Sequence, residues 1–106
     1  MRATVRLLQS CRITLFTREH CGLCTQAKSV LSDVWDKRPF NFQEIDILKP
    51  ASKGWRDLYE FDVPVIHISK AKQPEEDPKL STKAVKLMHR FSPDEVQAKM
   101  DVVERS

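Results

Sequence analysis

Two cysteines separated by two residues, Cys21 and Cys24, form the part of the sequence best suited to chemistry. They follow an apolar run over residues 13–16 that is typical of a strand, and they begin a segment with helical periodicity. Thiols at positions i and i+3 in the first turn of a helix share one face, with Cα atoms about 5 Å apart, which suits a disulfide. We therefore expect redox chemistry at this strand-to-helix junction.

The position of the two thiols predicts their roles. The unpaired N–H groups and the positive dipole end at a helix start favour an anion, and a thiol placed there has its pKa lowered from about 8.5 to roughly 3.5–7.5. Cys21, at the cap, is the expected nucleophile. Cys24, one turn inside and more buried, is expected to attack a mixed disulfide on Cys21 and to release the reduced substrate. The polar residues 18–20 indicate an exposed approach to Cys21.

A metal site is the alternative interpretation of the motif. A Cys-x-x-Cys pair is half of a zinc site, which needs two more ligands at a suitable spacing. Cys11, His20, His67 and His89 are present, but none forms a second close pair, so zinc is the weaker hypothesis. We interpret Cys11 as a packed thiol and His67 as a satisfied core or partly exposed histidine. His20 either helps to acidify Cys21 or is simply solvated.

Length and composition exclude several classes of protein. A chain of 106 residues forms one domain with a modest core. Its 31% charged residues leave no apolar run near the roughly 18 residues of a membrane span. The net charge of +3 is scattered, with no basic block interleaved with aromatics, so nucleic-acid binding is not expected. Three cysteines are too few for a secreted disulfide scaffold, which favours a reducing compartment.

Residues 1–11 read as an N-terminal lead-in or as an extension that pairs at the sheet edge. Arg2, Arg6 and Arg12 precede the first acidic residue, Glu19, in a pattern similar to a short mitochondrial targeting segment. The first strand begins near Arg12, however, so only about ten residues are available for removal. The cytoplasm is therefore the expected location, with the mitochondrion as the alternative.

Hydrophobic periodicity predicts the element order β-α-β-α-β-β-α. The expected elements are strands at 12–16, 40–47, 63–68 and 84–91, helices at 22–36, 51–61 and 92–103, and a solvated charged loop at 70–83. The first strand, helix and second strand have the lengths of a right-handed parallel crossover. The last helix opens with a capping box, in which Ser92 is followed by Pro93 and Glu95.

The same periodicity predicts which side chains are buried. Residues expected to face inward are Leu23, Ala27, Val30, Leu31, Val34, Trp35, Trp55, Leu58, Tyr59, Phe61, Val96, Met100 and Val103, with Val85, Leu87 and His89 on one face of the fourth strand. In the second strand, Phe40 and Phe42 are out of phase with Ile45 and Ile47, which predicts a bulge or register change near Glu44.

The element order, the Cys-x-x-Cys at the first strand-to-helix turn and Val63-Pro64 at the third strand together resemble the thioredoxin fold in its minimal glutaredoxin form. The resemblance covers about residues 12–103. The chain is most similar to a small group of glutaredoxin-like proteins with a Cys-x-Leu-Cys motif and a later Val-Pro-Val followed by an apolar-His-apolar pattern, here residues 63–68. The resemblance implies one α/β domain over residues 1–106, with a four-stranded mixed sheet flanked by helices.

The resemblance also implies a thiol–disulfide oxidoreductase that transfers electrons to protein disulfides or glutathione mixed disulfides. Cys21 and Cys24 match the nucleophilic and resolving cysteines of the redox-active disulfide. Pro64 matches a proline preceded by a cis peptide bond, an isomer uncommon even for X-Pro. The backbone of Val63 would then pair with the substrate or with glutathione. Arg18 stands where glutaredoxins commonly carry a lysine, and a cation there stabilises the thiolate and attracts a glutathione carboxylate.

Three departures from the glutaredoxin pattern concern ligand binding and the redox potential. The glycine pair that follows the last strand in glutaredoxins is missing from residues 90–94, although Ser92 and Asp94 lie where the γ-glutamyl end of glutathione would bind. Pro93 also removes one N–H donor. Asp62 replaces the usual threonine and adds a charge that repels an acidic ligand. Leu23 replaces the residue that distinguishes thioredoxins from glutaredoxins.

The expected partners follow from this assignment. We expect glutathione as the reductant, no bound cofactor or metal, disulfide-bearing proteins or glutathione as partners, no contact with nucleic acid or membrane, and a monomer. One alternative is a thioredoxin-fold adaptor with little turnover that uses the charged loop as its partner surface. Another is a metal module that binds zinc or, as a dimer with external glutathione, an iron–sulfur cluster.

Overall fold

Four strands and three helices make up the computed structural model, which describes residues 10–106. The strands are β1 (Cys11–Thr17), β2 (Asn41–Asp46), β3 (Val65–Lys70) and β4 (Val85–Met88), and the helices are α1 (Gly22–Lys37), α2 (Lys53–Tyr59) and α3 (Pro93–Arg105), with 3-10 turns at Pro50–Ser52 and Pro78–Lys83. The predicted order is confirmed. Of the predicted lead-in, residues 1–9 lie outside the described residues, and Cys11 already belongs to β1.

The four strands form one sheet in the order β2-β1-β3-β4. β1 and β2 are parallel, whereas β3 is antiparallel to β1 and β4 is antiparallel to β3. Consequently β1, β2 and β4 end at the same edge of the sheet at which β3 begins. We call this the redox edge, because it collects Cys21 after β1, Val63-Pro64 before β3 and the turn that leads into Ser92 after β4.

One face of the sheet packs against α1 and α3. Ile13 pairs with Ile68 and Leu15 with Ile66, so all four side chains point to this face. Together with the inner sides of both helices they form the larger hydrophobic cluster, whose helical members include Ala27, Leu31, Val34, Val96, Met100 and Val103. The predicted inward face of α3 is confirmed, and so is that of α1 except for Trp35.

The opposite face of the sheet is covered by α2 and by the segment between β3 and β4. Phe16 and Val65, which are register partners, pack with Trp55 and Tyr59 of α2 and with Ile47. The Phe16 and Trp55 rings lie 4.4 Å apart between centroids. The predicted burial of Trp55 and Tyr59 is thus confirmed.

Three apolar side chains in or near the helices depart from expectation. Trp35 is 45% exposed, because it lies on the outer side of α1 and its Nε1–H donates to the Phe40 carbonyl at 3.1 Å. Leu58 is exposed, and Phe61 is 88% exposed, because α2 ends at Tyr59 and the chain then turns outward. The predicted burial of Trp35, Leu58 and Phe61 was therefore wrong.

The predicted irregularity in β2 is also wrong. β2 pairs with β1 in one continuous parallel register, from Arg12 opposite Asn41 to Thr17 opposite Asp46. Phe40 and Ile47, whose phases conflict in the sequence, are both buried but lie just outside the two ends of the strand. The periodicity was misleading because it was read across the boundaries of the strand.

β4 is shorter than predicted. It ends at Met88, and His89 follows with a φ of 64°, in the left-handed region. His89 is consequently exposed and does not share the face of Val85 and Leu87.

The charged segment predicted as a solvated loop over residues 70–83 is partly built into the fold. β3 extends to Lys70, and the 3-10 turn occupies residues 78–83. The Glu76 side chain is nearly buried and accepts hydrogen bonds from Arg12 at 2.9 Å and Ser69 at 3.2 Å. A carboxylate is stable there because these donors, together with His67 of β3 at 2.8 Å, compensate its loss of hydration.

Arg38 ties the two helices of one face together. Its N–H donates to the Val34 carbonyl at 2.8 Å and closes the last turn of α1. Its guanidinium contacts Asp101 and Glu104 of α3, each at 2.8 Å. α1 is thus fixed at its C-terminal end by the contacts with α3, and its N-terminal end carries Cys21. Within residues 10–106, no helix is long and apolar enough to cross a membrane.

Candidate redox site

Cys21 is the N-cap of α1, as predicted. Its backbone is extended, with φ −121° and ψ 104°, and its Sγ accepts a hydrogen bond from the Cys24 N–H at 3.2 Å. The first turn of α1 contains no acidic residue, so the helix itself supplies no carboxylate that would oppose a negative charge at the cap. The local structure therefore favours an anionic sulfur at Cys21.

Cys21 and Cys24 lie at disulfide-bonding distance, with Cα atoms 5.2 Å apart. Cys21 is half-buried, whereas Cys24 is only 4% exposed. The Cys21 sulfur is therefore open to a substrate, whereas the Cys24 sulfur is shielded from solvent and can be reached only by Cys21. This difference is the one expected for an attacking and a resolving thiol.

A cavity of about 420 Å³ opens over the two sulfurs. Its lining includes the exposed residues Arg18, Glu19 and His20, together with Thr25 and Lys28 of α1. His20 has a φ of 55°, so the chain turns sharply just before Cys21. The expected exposed approach is confirmed, and Arg18 lies on the wall of the same cavity as Cys21.

The turn before β3 contributes Val63 and Pro64 to the redox edge. The peptide bond between them is cis, as the resemblance implied. Pro64 is buried, and its carbonyl accepts the His89 N–H at 2.8 Å, which fastens this turn to the one after β4. Within residues 10–106, neither the N–H nor the C=O of Val63 is paired with another backbone group. These two groups are available to an extended ligand.

His89 is a neighbour of the site that the sequence did not reveal. Its Nε2 lies 3.5 Å from a carboxylate oxygen of Asp62, directly before Val63. Both side chains are about half exposed, so the pair is solvated. A protonated His89 would offset the charge by which Asp62 opposes an acidic ligand. No local pattern signals this contact, because 27 positions separate the two residues and the sheet alone brings them together.

Ser92 and Asp94 begin α3 at the same edge, but the cap uses most of its own donors. The Ser92 Oγ accepts the Glu95 N–H at 3.2 Å, and the Ser92 N–H donates to the Glu95 carboxylate at 3.0 Å. Pro93 has no N–H. The predicted capping box is confirmed, and the Asp94 N–H is the one donor of this first turn that the cap does not use.

Cys11 and His67, which the sequence analysis considered as metal ligands, lie away from the site. Cys11 is buried at the opposite end of β1, where its thiol contacts Glu104 Oε2 at 3.6 Å. Burial, and next the charge of Glu104, raise the pKa of Cys11 to about 11. His67 is a satisfied core histidine, as predicted, with the Tyr59 hydroxyl at 2.7 Å and Glu76 at 2.8 Å. Among residues 10–106, no cluster of three or more His, Cys, Asp or Glu side chains is arranged to hold a metal ion.

Known structures define the class of fold. The chain superimposes on thioredoxin O2 from Arabidopsis thaliana in its oxidised state with a TM-score of 0.59 and 14% identity, over 96% of this chain and 84% of that one. It superimposes on a chloroplastic thioredoxin z with a TM-score of 0.65 and 15% identity, over 99% and 88% of the two chains. The protein therefore has the thioredoxin fold.

The family follows from the sequence match. Residues 12–101 match the glutaredoxin-like domain family (DUF836), and the chain belongs to that family. A curated relative, described as a glutaredoxin-like protein YDR286C homolog from Dictyostelium discoideum, is 36% identical over 61 residues. That match spans 54% of this chain and 56% of the relative. The resemblance inferred from the two motifs is confirmed.

Proposed function

We propose that this protein is a thiol–disulfide oxidoreductase that reduces glutathione mixed disulfides or disulfides of proteins. The observation that carries the proposal is the arrangement of the two thiols. Cys21 is open to the cavity with its sulfur hydrogen-bonded at a helix start, and Cys24 lies buried within bonding reach.

In the first step, the Cys21 thiolate attacks one sulfur of the substrate disulfide. A bond forms between Cys21 Sγ and that sulfur, and the other sulfur leaves as a thiolate that takes a proton from solvent. In the second step, Cys24 loses its proton and attacks Cys21 Sγ. The substrate leaves as a thiol, and the protein carries the Cys21–Cys24 disulfide, having given up two electrons.

Regeneration requires an external thiol reductant, and we propose glutathione for this role. Two glutathione molecules reduce the Cys21–Cys24 disulfide and leave as one molecule of oxidised glutathione, so the electrons balance. Arg18 would attract a glutathione carboxylate, and the backbone of Val63 would pair with the tripeptide. Because the cap of α3 already uses the N–H groups of Ser92 and Glu95, only Asp94 would donate to the γ-glutamyl carboxylate, and we expect weak binding.

The proposal is tested by the reduction of a glutathionylated peptide in a coupled assay at pH 7.4. We expect the native chain to turn over, Cys21→Ser to be inactive and Cys24→Ser to retain activity on the glutathione mixed disulfide, which needs one thiol only. The Cys11→Ala variant is the matched control and should behave as the native chain. Absence of turnover by the native chain on both mixed disulfides and protein disulfides would refute the proposal and favour the adaptor alternative.

A further inference from the structure

Lys28 is a charged side chain of the redox-site cavity to which the proposed mechanism assigns no role. It follows Cys24 by four residues in α1 and lines the same cavity as both cysteines. At 1.5 Å per residue, its Cα lies about 6 Å along the helix axis from that of Cys24 and about 10 Å from that of Cys21. Residues at i and i+4 share one face of a helix, and side chains lean toward its N-terminus. Lys28 is therefore placed nearer to the resolving thiol than to the attacking one.

Contacts with two strands hold the Lys28 ammonium in place. Its Nζ lies 2.8 Å from Oε2 of Glu44 in β2, and the same oxygen accepts a hydrogen bond from Thr17 Oγ1, at the end of β1, at 3.3 Å. Thr17 is buried and also lines the cavity, whereas Glu44 lies outside the lining. Of the two partners in this ion pair, the cation is therefore the one that borders the cavity.

Cys24 is the thiol that needs such a cation. Its side chain is only 4% exposed, and burial disfavours the charged form of a thiol. The Cys24 N–H donates to Cys21 Sγ, so the helix start favours the attacking sulfur. Once Cys21 is bonded to a substrate sulfur, the rate of the next step depends on the fraction of Cys24 present as thiolate.

The other charged groups of the site lie on different elements. Those nearest to the two sulfurs are Arg18, Glu19 and His20 on the cavity wall, with Asp62 before β3 and His89 after β4. The first three are exposed and precede Cys21, and the last two pair with each other at 3.5 Å. Lys28 is the one cation in the first two turns of α1. It is therefore the positive charge best placed to act on Cys24.

We propose that Lys28 promotes formation of the Cys24 thiolate in the resolving step. Glu44 and Thr17 are the residues that position its ammonium. The inference rests on the proposed function and assigns a residue to its second step. Disulfides of proteins, which need both thiols, should therefore depend on Lys28 more than glutathione mixed disulfides, which need one.

The role of Lys28 in this step is electrostatic. The Cys24 S–H gives its proton to solvent through the open cavity, and the thiolate beside the Lys28 ammonium attacks Cys21 Sγ. A bond forms between the two cysteine sulfurs, and the bond from Cys21 Sγ to the substrate sulfur breaks. The substrate sulfur leaves with the bonding electron pair and takes a proton from solvent. Lys28 stays protonated throughout.

A single-turnover experiment separates the two steps. The reduced protein is mixed, in excess, with dithiodipyridine, a disulfide that is uncharged at neutral pH, so Lys28 cannot act by attracting it. Attack by Cys21 releases one thiopyridone, and attack by Cys24 releases a second with first-order kinetics. Both are followed by absorbance. Cys24→Ser should give the first release alone, which assigns the two phases.

The key variant is Lys28→Met, which removes the charge and keeps an apolar stem. An opposite charge at about 4–6 Å changes a protonation equilibrium about tenfold or more, and the half-exposed position of Lys28 reduces this effect. We therefore expect the second release to slow about fivefold relative to the first at pH 7. Lys28→Arg should keep the native ratio, as should Lys37→Met, the matched control in the last turn of α1. An unchanged ratio in Lys28→Met would overturn the inference.

The pH profile of the second release distinguishes an effect of charge from a structural one. Loss of a nearby cation disfavours the thiolate, so the Lys28→Met profile should be displaced to higher pH and should reach the native rate at its upper limit. A rate lowered by the same factor at every pH would show that Lys28 only places α1, and the inference would be wrong.

This inference and the proposed function fail in different ways. A second release that depends on the charge at Lys28, in a protein that turns over neither glutathione mixed disulfides nor protein disulfides, would refute the proposed oxidoreductase and leave the effect of Lys28 on Cys24 standing. Turnover by the native chain together with a native ratio of the two releases in Lys28→Met would refute the role of Lys28 alone.

Discussion

The Glu76 carboxylate meets the His67 imidazole at 2.8 Å on the face of the sheet that α2 covers. The Tyr59 hydroxyl lies 2.7 Å from the other ring nitrogen, and Lys86 Nζ lies 3.5 Å from that hydroxyl. A neutral imidazole satisfies both contacts when Nδ1–H donates to Glu76 and Nε2 accepts from Tyr59. Because Arg12 also contacts Glu76, one carboxylate fastens the β3–β4 connection to two strands of the sheet.

Glu76→Gln should destabilise the protein by about 3 kcal/mol, since it leaves the nearly buried Arg12 without its counter-charge. Urea unfolding at pH 7 measures the change. Glu75→Gln is the matched control, because it removes the same charge from an exposed neighbour and should have little effect. Equal stabilities of the two variants would show that the ion pair contributes nothing.

The contribution of Glu76 should depend on pH in a defined direction. The hydrogen bond from His67, assisted by that from Arg12 and opposed by burial, lowers the pKa of Glu76 below its ordinary value of 4.5. The folded state therefore binds fewer protons than the unfolded state, so the contribution is complete above about pH 4.5 and is lost as the pH falls through the folded pKa. The difference between native and Glu76→Gln midpoints should shrink over that range, and a constant difference would contradict this assignment.

Cys11 should be inert toward alkylation in the folded, reduced protein. Its pKa of about 11 leaves almost no thiolate at pH 7.5, and the side chain is buried. Iodoacetamide should label Cys21 within minutes and Cys11 only after unfolding, as mass spectrometry of tryptic peptides can show. Cys24→Ser simplifies the analysis by removing the second thiol of the motif. Similar labelling rates at Cys11 and Cys21 would disprove the expectation.

Ser92→Ala should reduce the free energy of unfolding by about 1 kcal/mol, because the Glu95 N–H loses its side-chain acceptor. Thermal unfolding followed by circular dichroism is a suitable measurement. Ser29→Ala, at an exposed position inside α1, is the control and should be neutral or slightly stabilising. If both variants lose the same stability, the capping box has no specific role.

Asp62→Asn should lower KM for glutathione about twofold to threefold, since it removes a half-exposed negative charge directly before Val63. The effect should decrease as salt is added, because exposed charges are screened. Initial rates against glutathione concentration at two ionic strengths provide the test, with Asp33→Asn on α1 as the control. An unchanged KM at low salt would place the glutathione carboxylates away from Asp62.

The parts of the fold that the sequence predicted are those encoded by neighbouring residues. The dithiol at the start of α1, the proline before β3 and the capping box of α3 each depend on residues within a few positions of one another. Helical periodicity likewise identified the inner faces of α1 and α3, because each helix buries one continuous stripe.

The parts that the sequence missed depend on distant partners or on element ends. Arg12 and Glu76 are 64 positions apart, so the charged loop was interpreted as solvated although its central carboxylate has a site on the sheet. Phe61 was assigned to the inner side of α2, but the helix ends two residues earlier. Trp35 was assigned to the core by its helical spacing, but it lies on the outer side of α1, where it is 45% exposed.

The Glu76 contacts also constrain how the family can vary. The sheet face that carries Arg12 and His67 is covered by the β3–β4 connection, and Glu76 of that connection is the carboxylate that both side chains contact. A relative with a connection too short to supply this carboxylate would leave the guanidinium buried without its counter-charge and the imidazole with the Tyr59 hydroxyl as its remaining partner. We therefore expect the length of this connection to vary together with the residues at positions 12 and 67, with apolar side chains at both wherever the connection is short.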